Sequence, residues 1–395
     1  MNRQPFQTPP HWWESKLNRW WVWLCRPYRL WELTKKQQVD DVTLQNAEVV
    51  IEAQRRGQGV LITPNHSTHY DSNCLFTGLE PMGVLVQFMT AWQVFGMSHP
   101  FVRWSLQRHG CFSVDREATD LRAFRHAISL LHAGAAPLVI FPEGDIHHSN
   151  DRVMPFREGP AAIALTAARK SPRDLVAIPC AIKFHYVGDP TESLKTVLAR
   201  IERRILLRPA TDLDFVDRIL RIARTILCIK EVEEFGHVQH GDIQERIQHL
   251  ARSVLRRISE AFERPDSEAP IPEVVKDLRR RTIAALEEAE VQDAEEERLR
   301  HHLEDLFFAT QLYSYPGNYL RTNPTRERIA ETVDKLEEDV LDVALPTVHA
   351  RRKVTIRFGD PILIEREEGK KGRVQELTGL LETKVQQLLD EINGA

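Results

Sequence analysis

The chain lacks several features that would assign it to a class at once. No apolar run approaches the roughly 20 residues that span a bilayer. The five cysteines are scattered and form no C-x-x-C pair, so neither a disulfide framework nor a zinc knuckle is expected. The 53 basic and 57 acidic residues give a net charge of only −4, which offers no reason to expect nucleic-acid binding. With no signal-peptide pattern at its N-terminus, we expect the chain on the cytosolic side of any membrane.

Tryptophan is concentrated in residues 12–31, which hold six of the eight in the chain. Helical spacing predicts an apolar stripe from Trp13 to Leu24, on a helix ended or kinked by Pro27. Residues 1–36 carry seven basic and two acidic side chains, a net charge of +5. Indole rings prefer the lipid headgroup boundary, and each nearby Lys or Arg adds about 1 kcal/mol on anionic lipid. We therefore favour a helix lying on a membrane over one docked on the protein's own core.

Short apolar runs alternate with helical patterns between residues 38 and 190. Residues 121–134 have helical spacing and end with Gly134, where a helix C-cap is expected. Pro179 indicates a bulge or a break in the last apolar run. The pattern predicts an α/β fold with a mostly parallel, buried sheet flanked by helices. The five predicted strands lie within residues 59–64, 83–90, 111–115, 136–144 and 174–187.

Polar clusters lie at or near the carboxyl ends of four of these predicted strands. NHSTHYD (65–71), DRE (115–117) and PEGD (142–145) come at strand ends, and Lys183-Phe184-His185 lies late in the fifth strand. Ligands of open parallel sheets bind outside the carboxyl ends of the strands. We therefore expect these clusters to form one site.

The His66–Asp71 spacing is open to three interpretations. A carboxylate bonded to one ring nitrogen can fix the tautomer of an imidazole that accepts a proton at the other. Asp71 can instead cap a helix in a polar turn. The third interpretation is a metal site formed by His66, His69 and Asp71, completed by His147 and His148.

Two further polar positions are candidates for binding an anion. Arg116 offers a forked donor to phosphate or carboxylate, or it forms an ion pair with a neighbouring acid. Glu143 and Gly144 form either an ordinary tight turn or a place where a ligand approaches the backbone closely.

Taken together, these segments resemble the glycerolipid acyltransferases typified by 1-acylglycerol-3-phosphate acyltransferase. The family blocks N-H-x-S-x-x-D and F-P-E-G-T-R-S are similar to NHSTHYD (65–71) and to FPEG (141–144). Four further segments agree in order and spacing: GCFSVDR (110–116), FREG (156–159), AIPCA (177–181) and ARRKVTIRFGDPILI (350–364). The resemblance covers about 200 of the 395 residues.

The resemblance implies transfer of a fatty acyl group from acyl-CoA or an acyl-carrier protein to a lysolipid hydroxyl. In that reaction His66 is the general base and Asp71 orients it, with the thioester as co-substrate and no other cofactor. Backbone amides near Glu143 and Gly144 would stabilise the oxyanion, and Arg116 would bind the acceptor head group. The implied substrate-binding residues are Asn65, Arg116, Glu143, Gly144 and Lys183.

The sequence departs from this family after FPEG. Asp145, Ile146 and His147 stand where the family has T-R-S, so an arginine that helps to hold phosphate is missing. A basic residue often found between the first two blocks is also absent. Lysophosphatidic acid is therefore not assumed as the acceptor. A neutral or zwitterionic head group stays open, with His147 or Lys183 compensating in part.

Residues 193–340 are charged and have helical apolar spacing without a fixed repeat, which predicts a helical hairpin or bundle. The expected organisation is a Trp-rich membrane-contacting segment at 1–37, the first part of the acyltransferase domain at 38–190, a helical insertion at 191–345 and the rest of the domain at 346–395. Two other functions stay open: a metal-dependent hydrolase that uses His66, His69 and Asp71, and a catalytically silent membrane-binding scaffold.

Overall fold

The computed structural model divides the chain into two compact units. The sheet unit comprises Pro9–Arg116, Asp120–Thr191 and Val348–Ala395, and the helical unit consists mainly of Glu192–Thr347. The first seven residues of the predicted segment 1–37 lie outside the described part of the chain, and the predicted domain boundaries stay predictions. The structure describes residues 8–116, 119–265, 267–288, 293–315, 317–366 and 372–394.

The described residues of the sheet unit form an eight-stranded sheet with the order β1-β7-β6-β2-β5-β3-β4, and β8 also pairs with β6. All pairs are parallel except those that β7 and β8 make with β6. The predicted α/β fold with a mostly parallel sheet is therefore confirmed. The strands are β1 Val39–Gln45, β2 Gly59–Pro64, β3 Gln87–Ala91, β4 Cys111–Val114, β5 Leu138–Val139, β6 Leu175–Tyr186, β7 Arg352–Phe358 and β8 Ile362–Leu363.

Helices cover both faces of this sheet and form the whole regular structure of the described helical unit. The predicted helix at 121–134 is confirmed, since it ends at Ala133 and Gly134 caps it in a left-handed conformation with φ of 59°. In chain order the helices are α1 Arg19–Trp31, α2 Glu48–Arg55, α3 Asp71–Leu79, α4 Trp92–Gly96, α5 Pro100–Arg108, α6 Leu121–Ala133, α7 Gly159–Lys170, α8 Thr191–Arg204, α9 Phe215–Phe235, α10 Ile243–Ala261, α11 Ile271–Leu286, α12 Asp293–Tyr313, α13 Tyr319–Thr322, α14 Arg326–Leu341 and α15 Arg373–Asn393.

The core of the sheet unit lies in two layers, one on each face of the sheet. Strand side chains alternate between faces, so Val60 and Ile62 pack into one layer while Leu61 packs into the other. Burial of each such side chain stabilises the fold by about 1.5–3 kcal/mol. Because both faces are covered, β2 is buried at every position, which explains its continuous apolar run from Val60 to Ile62.

Strand β6 runs without interruption through Pro179, so the predicted bulge or break is wrong. Its first half pairs with β2 and β8, and its second half pairs with β7. The Pro179 carbonyl accepts the Gly359 amide at 2.8 Å. Because Pro179 lies where the partner changes from β8 to β7, its missing N–H interrupts neither ladder.

The helix predicted from Trp13 onward begins later than expected, at Arg19. Trp13 instead lies in an irregular segment, buried and stacked on Phe95 with ring centroids 5.3 Å apart. Its amide donates to Ser113 Oγ at 2.9 Å, and its carbonyl accepts the Ser113 amide at 2.8 Å. Asn18 caps helix α1, which continues through Pro27 to Trp31. Along the described residues, no helix combines the length and apolarity that a bilayer crossing requires.

The helical unit confirms the prediction of an all-α insertion. Helices α10, α11 and α12 pack around a core that includes Leu250, Ile258 and Leu306. Asp214 and Asp242 cap α9 and α10 by accepting amide hydrogens in the first turn. The apolar spacing read from the sequence therefore corresponds to the buried faces of these helices.

Candidate active site

His66 and Asp71 form a hydrogen-bonded pair at the carboxyl end of β2. Asp71 is the first residue of α3, so the short turn between the strand and the helix brings its carboxylate back to the ring. His66 Nδ1 lies 2.9 Å from Asp71 Oδ2. The carboxylate is fully buried, while the imidazole is 18% exposed. The pair thus combines a buried carboxylate with a ring that solvent can reach, as proton transfer between the ring and a bound molecule requires.

Other groups of the same turn hold the Asp71 carboxylate in place. The Thr68 amide donates to Oδ2 at 2.9 Å, and the Thr68 hydroxyl donates to Oδ1 at 3.0 Å. A carboxylate oxygen accepts at His66 Nδ1, so the ring proton lies on that nitrogen. The ring stacks on Phe141 with centroids 4.1 Å apart. The arrangement leaves Nε2 as the nitrogen that can accept a proton.

Asn65, the residue after β2, joins this strand end to β6. Its Nδ2 donates to the Ile182 carbonyl at 3.0 Å, and its Oδ1 accepts the Ile182 amide at 2.7 Å. Asn65 is fully buried. The structure therefore shows a positioning contact for this residue, and its predicted contact with substrate stays a prediction.

Glu143, after β5, fixes the backbone of the His66 loop. Its Oε1 accepts the His66 amide at 2.7 Å, and its Oε2 accepts the Met154 amide at 3.2 Å. Burial raises the pKa of this carboxyl well above its usual value, although the two amide donors act in the opposite direction. Glu143 thus couples the strand end that carries His66 to the segment around Met154.

Arg116 and Gly144 meet although β3 separates the strands that precede them. An Arg116 Nη donates to the Gly144 carbonyl. The Gly144 amide donates to the Phe141 carbonyl at 3.1 Å, so that one of the amides expected to stabilise an oxyanion is committed to a turn. The structure therefore brings Glu143 into contact with the His66 backbone and Arg116 into contact with Gly144, and the contacts of these residues with substrate stay predictions.

Lys183 points into the interior of the sheet unit. It forms an ion pair with Asp151, and both side chains are only 4% exposed. Asn393 in α15 donates to the same carboxylate at 3.3 Å. Asp151 was not among the residues expected from the sequence, because no local spacing relates it to Lys183. A role of Lys183 at the acceptor head group stays a prediction.

The segment after His148 is held by β6 and α15. The Asn150 side chain donates to the Phe184 carbonyl at 2.7 Å and accepts the Phe184 amide at 2.9 Å. Glu382 of α15 accepts the Phe156 amide at 2.7 Å, and Gln386 accepts the Val153 amide at 3.0 Å. The C-terminal helix therefore supports the loop that Glu143 connects to His66.

His69 differs from His66 in its surroundings. Its ring lies edge-on to that of His148, with centroids 5.9 Å apart, whereas His66 and Asp71 bond to each other. By spacing alone the two histidines are equivalent candidates, and only the family resemblance favours His66 as the base. The structure separates them into one residue paired with a carboxylate and one packed against another imidazole.

The protein is thus an α/β protein with an imidazole–carboxylate pair at the carboxyl edge of a mostly parallel sheet. A family model described as Acyltransferase matches residues 41–183. The matched segment holds the His66–Asp71 pair and is similar to acyltransferase domains. No curated protein matches the chain.

Proposed function

We propose that the protein transfers a fatty acyl group from acyl-CoA or an acyl-carrier protein to a hydroxyl of a lysophospholipid or glycerolipid. The observation that carries this proposal is the 2.9 Å contact between His66 Nδ1 and Asp71 Oδ2, within a segment that matches an acyltransferase family. The thioester is a co-substrate, and the reaction needs no further cofactor.

The proposed reaction is a direct transfer. His66 Nε2 accepts the proton of the acceptor hydroxyl as the oxygen attacks the thioester carbonyl carbon. The negative charge of Asp71 stabilises the imidazolium that forms. Collapse of the tetrahedral intermediate breaks the C–S bond, and the leaving thiolate takes up the proton. The products are the acylated lipid and the free thiol.

Acceptor-dependent thiol release tests this proposal. Purified full-length protein is incubated with an acyl-CoA or an acyl-carrier protein, with and without lysolipids, while free thiol and acylated lipid are measured. We expect free thiol and acylated lipid in equal amounts, and we expect metal chelators to leave both amounts unchanged. Release of thiol without lipid acylation, abolished by a chelator, would support the metal-dependent hydrolase. No thiol release from either donor would support the silent scaffold.

We further propose that the protein binds peripherally to the cytoplasmic side of a membrane, through residues 12–31 and the neighbouring helices α4 and α5. Trp20 and Trp23 on α1 are 81% and 65% exposed, and Phe101 on α5 is 60% exposed. Trp21 packs edge-on against Trp104 with centroids 4.6 Å apart. The apolar sides of α1 and α5 therefore lie next to each other. Large exposed apolar surfaces mark interaction sites, and exposed indoles favour a lipid interface.

The charges around this aromatic surface agree with an anionic membrane. Neither α1 nor the segment 92–108 contains an Asp or Glu. Arg19 and Arg26 of α1 are exposed. Arg29, one of the seven basic residues in 1–36, is turned inward and pairs with Glu80 at 2.7 Å. The attraction to anionic lipid would come from the exposed basic residues and would weaken with salt.

Replacing both Trp20 and Trp23 with alanine is expected to weaken binding to lipid vesicles by at least about tenfold, because two indoles no longer leave water on docking. Sedimentation with phosphatidylcholine vesicles, with and without phosphatidylglycerol, measures the change. Leu363→Ala is the matched control, since Leu363 is 57% exposed on β8 of the same unit. Equal binding by the double variant and the control would contradict the proposed surface.

A further inference from the structure

Asp145 lies among positively charged side chains directly after the turn formed by Glu143 and Gly144. Its Oδ1 is 3.4 Å from Arg116 Nη1. The same guanidinium donates to the Gly144 carbonyl. The Arg116 and Asp145 side chains are 15% and 20% exposed, so solvent and small polar groups can reach them. The ion pair thus lies at an accessible part of the site.

Gly144 allows a second guanidinium to approach the same place. Its φ is +76°, and a Cβ added there would lie only 2.3 Å from Arg157 Nε. A side chain at position 144 would therefore displace Arg157 or strain the backbone. The Arg157 amide donates to the Pro142 carbonyl at 2.8 Å, which fixes the other side of the turn. Because Gly144 has no side chain, Arg157 can lie close to Asp145.

Asp145 carries a negative charge in this environment. Burial favours its neutral form, but the positive charges of Arg116, His147 and Arg157 hold its pKa well below the usual value. Its Oδ1 also accepts the Ile146 amide at 3.2 Å. The carboxylate is therefore a fixed anion, already associated with the guanidinium groups.

The turn that carries Asp145 borders the proposed base. The His66 amide donates to Glu143 at 2.7 Å, and the His147 amide lies 3.5 Å from the His66 carbonyl. The turn is therefore bonded to the backbone of the His66 loop, and we infer that an acceptor held at His66 has its head group beside this turn. The charge of the turn affects the head group that binds there.

We propose that Asp145 determines the class of acceptor, an inference that rests on the proposed acyl transfer. Arg116 and Arg157 supply two permanent positive charges, and Asp145 neutralises one of them, while His147 adds a charge only when its imidazole is protonated. The remaining charge matches a phosphodiester, which carries one negative charge. A phosphate monoester brings close to two negative charges at neutral pH, and the second is repelled by Asp145. The acceptor is accordingly a lysophospholipid with a phosphodiester head group.

Three acceptors with the same acyl chain test this inference: a lysophosphatidic acid, a lysophosphatidylcholine and a monoacylglycerol. Each is presented to the full-length protein in the same mixed micelles with one thioester donor. We expect wild-type kcat/KM for the phosphodiester to exceed that for the monoester by about tenfold, as repulsion between nearby like charges predicts. The monoacylglycerol shows whether a phosphate group contributes to binding.

Asp145→Asn and Asp145→Ser are expected to raise kcat/KM for the monoester relative to the phosphodiester by about tenfold, mainly through KM, because the repelling charge is removed. Two variants are used because either one alone could disturb the turn. Asp174→Asn is the matched control: it makes the same change in net charge at an exposed residue before the amino end of β6. Its acceptor ratio should equal that of the wild type.

The outcomes separate this inference from the proposed function. A wild-type preference for the monoester, or Asp145 variants with the same acceptor ratio as Asp174→Asn, overturns the role of Asp145 while acyl transfer stands. A preference for monoacylglycerol over both phospholipids overturns the phosphodiester class. Absence of transfer to all acceptors from either donor overturns the proposed function and this inference with it.

Discussion

His66→Ala is expected to lower kcat for acyl transfer by about 10²- to 10⁴-fold, the range that a positioned general base contributes. The variant removes the imidazole that bonds to Asp71 at 2.9 Å and leaves the buried carboxylate with its other donors from Thr68. The fold should therefore persist. Thiol release at saturating acceptor measures kcat, and circular dichroism and thermal unfolding check the fold.

His69→Ala is the matched control, because it removes an imidazole from the same loop. We expect acyl transfer close to wild type, since the proposed reaction assigns His69 no step. Equal losses in both variants, together with sensitivity to chelators, would contradict the two-residue base and favour the metal-dependent hydrolase. Full activity of His66→Ala would contradict the mechanism outright.

The neighbourhood of His66 was predictable from the sequence because it depends on short-range order. A buried apolar run followed by a polar turn predicts a parallel strand whose carboxyl end carries ligand-binding groups. The structure places β5 directly beside β2. The turn with Glu143 therefore lies next to the turn with His66. The local sequence, together with the rule that ligands bind at the carboxyl ends of parallel strands, was sufficient to predict that these two turns share one site.

The position of Trp13, by contrast, could not be predicted from the local sequence. Aromatic residues at helical spacing describe an amphipathic helix only if the chain is helical there, and periodicity cannot exclude an extended segment bound to a distant strand. The backbone bonds of Trp13 to Ser113 join residues 100 positions apart. The pairing of β1 with β7 is likewise non-local, linking Thr43 to Thr355. Such contacts depend on the assembled sheet, so no local pattern reveals them.

The Lys183–Asp151 pair is a second non-local contact, and breaking it is expected to have the largest effect on stability. Lys183→Met removes a buried cation and leaves Asp151 as a buried carboxylate without it. Removing one partner of a buried ion pair typically costs about 3–5 kcal/mol. We therefore expect a loss of this size in the free energy of unfolding, measured by urea denaturation of the purified protein.

Two controls separate the effect of an uncompensated charge from the effect of burial. Adding Asp151→Leu to Lys183→Met should recover most of the loss, because replacing both charges with apolar groups is often neutral. Arg56→Met removes one partner of the exposed Arg56–Glu52 pair and should change stability by less than about 1 kcal/mol. A single variant as stable as the wild type would contradict the structural role.

The same variant decides between two roles of Lys183. If Lys183 supports the fold through Asp151, replacing it lowers the stability of the sheet unit. The double variant should then regain both stability and acyl transfer. If Lys183 instead binds the acceptor head group, replacing it raises KM. Adding Asp151→Leu would then restore stability but leave KM high. The burial of both side chains favours the first outcome. In that case Asp145 and Arg116, rather than Lys183, are the charged groups that face the acceptor.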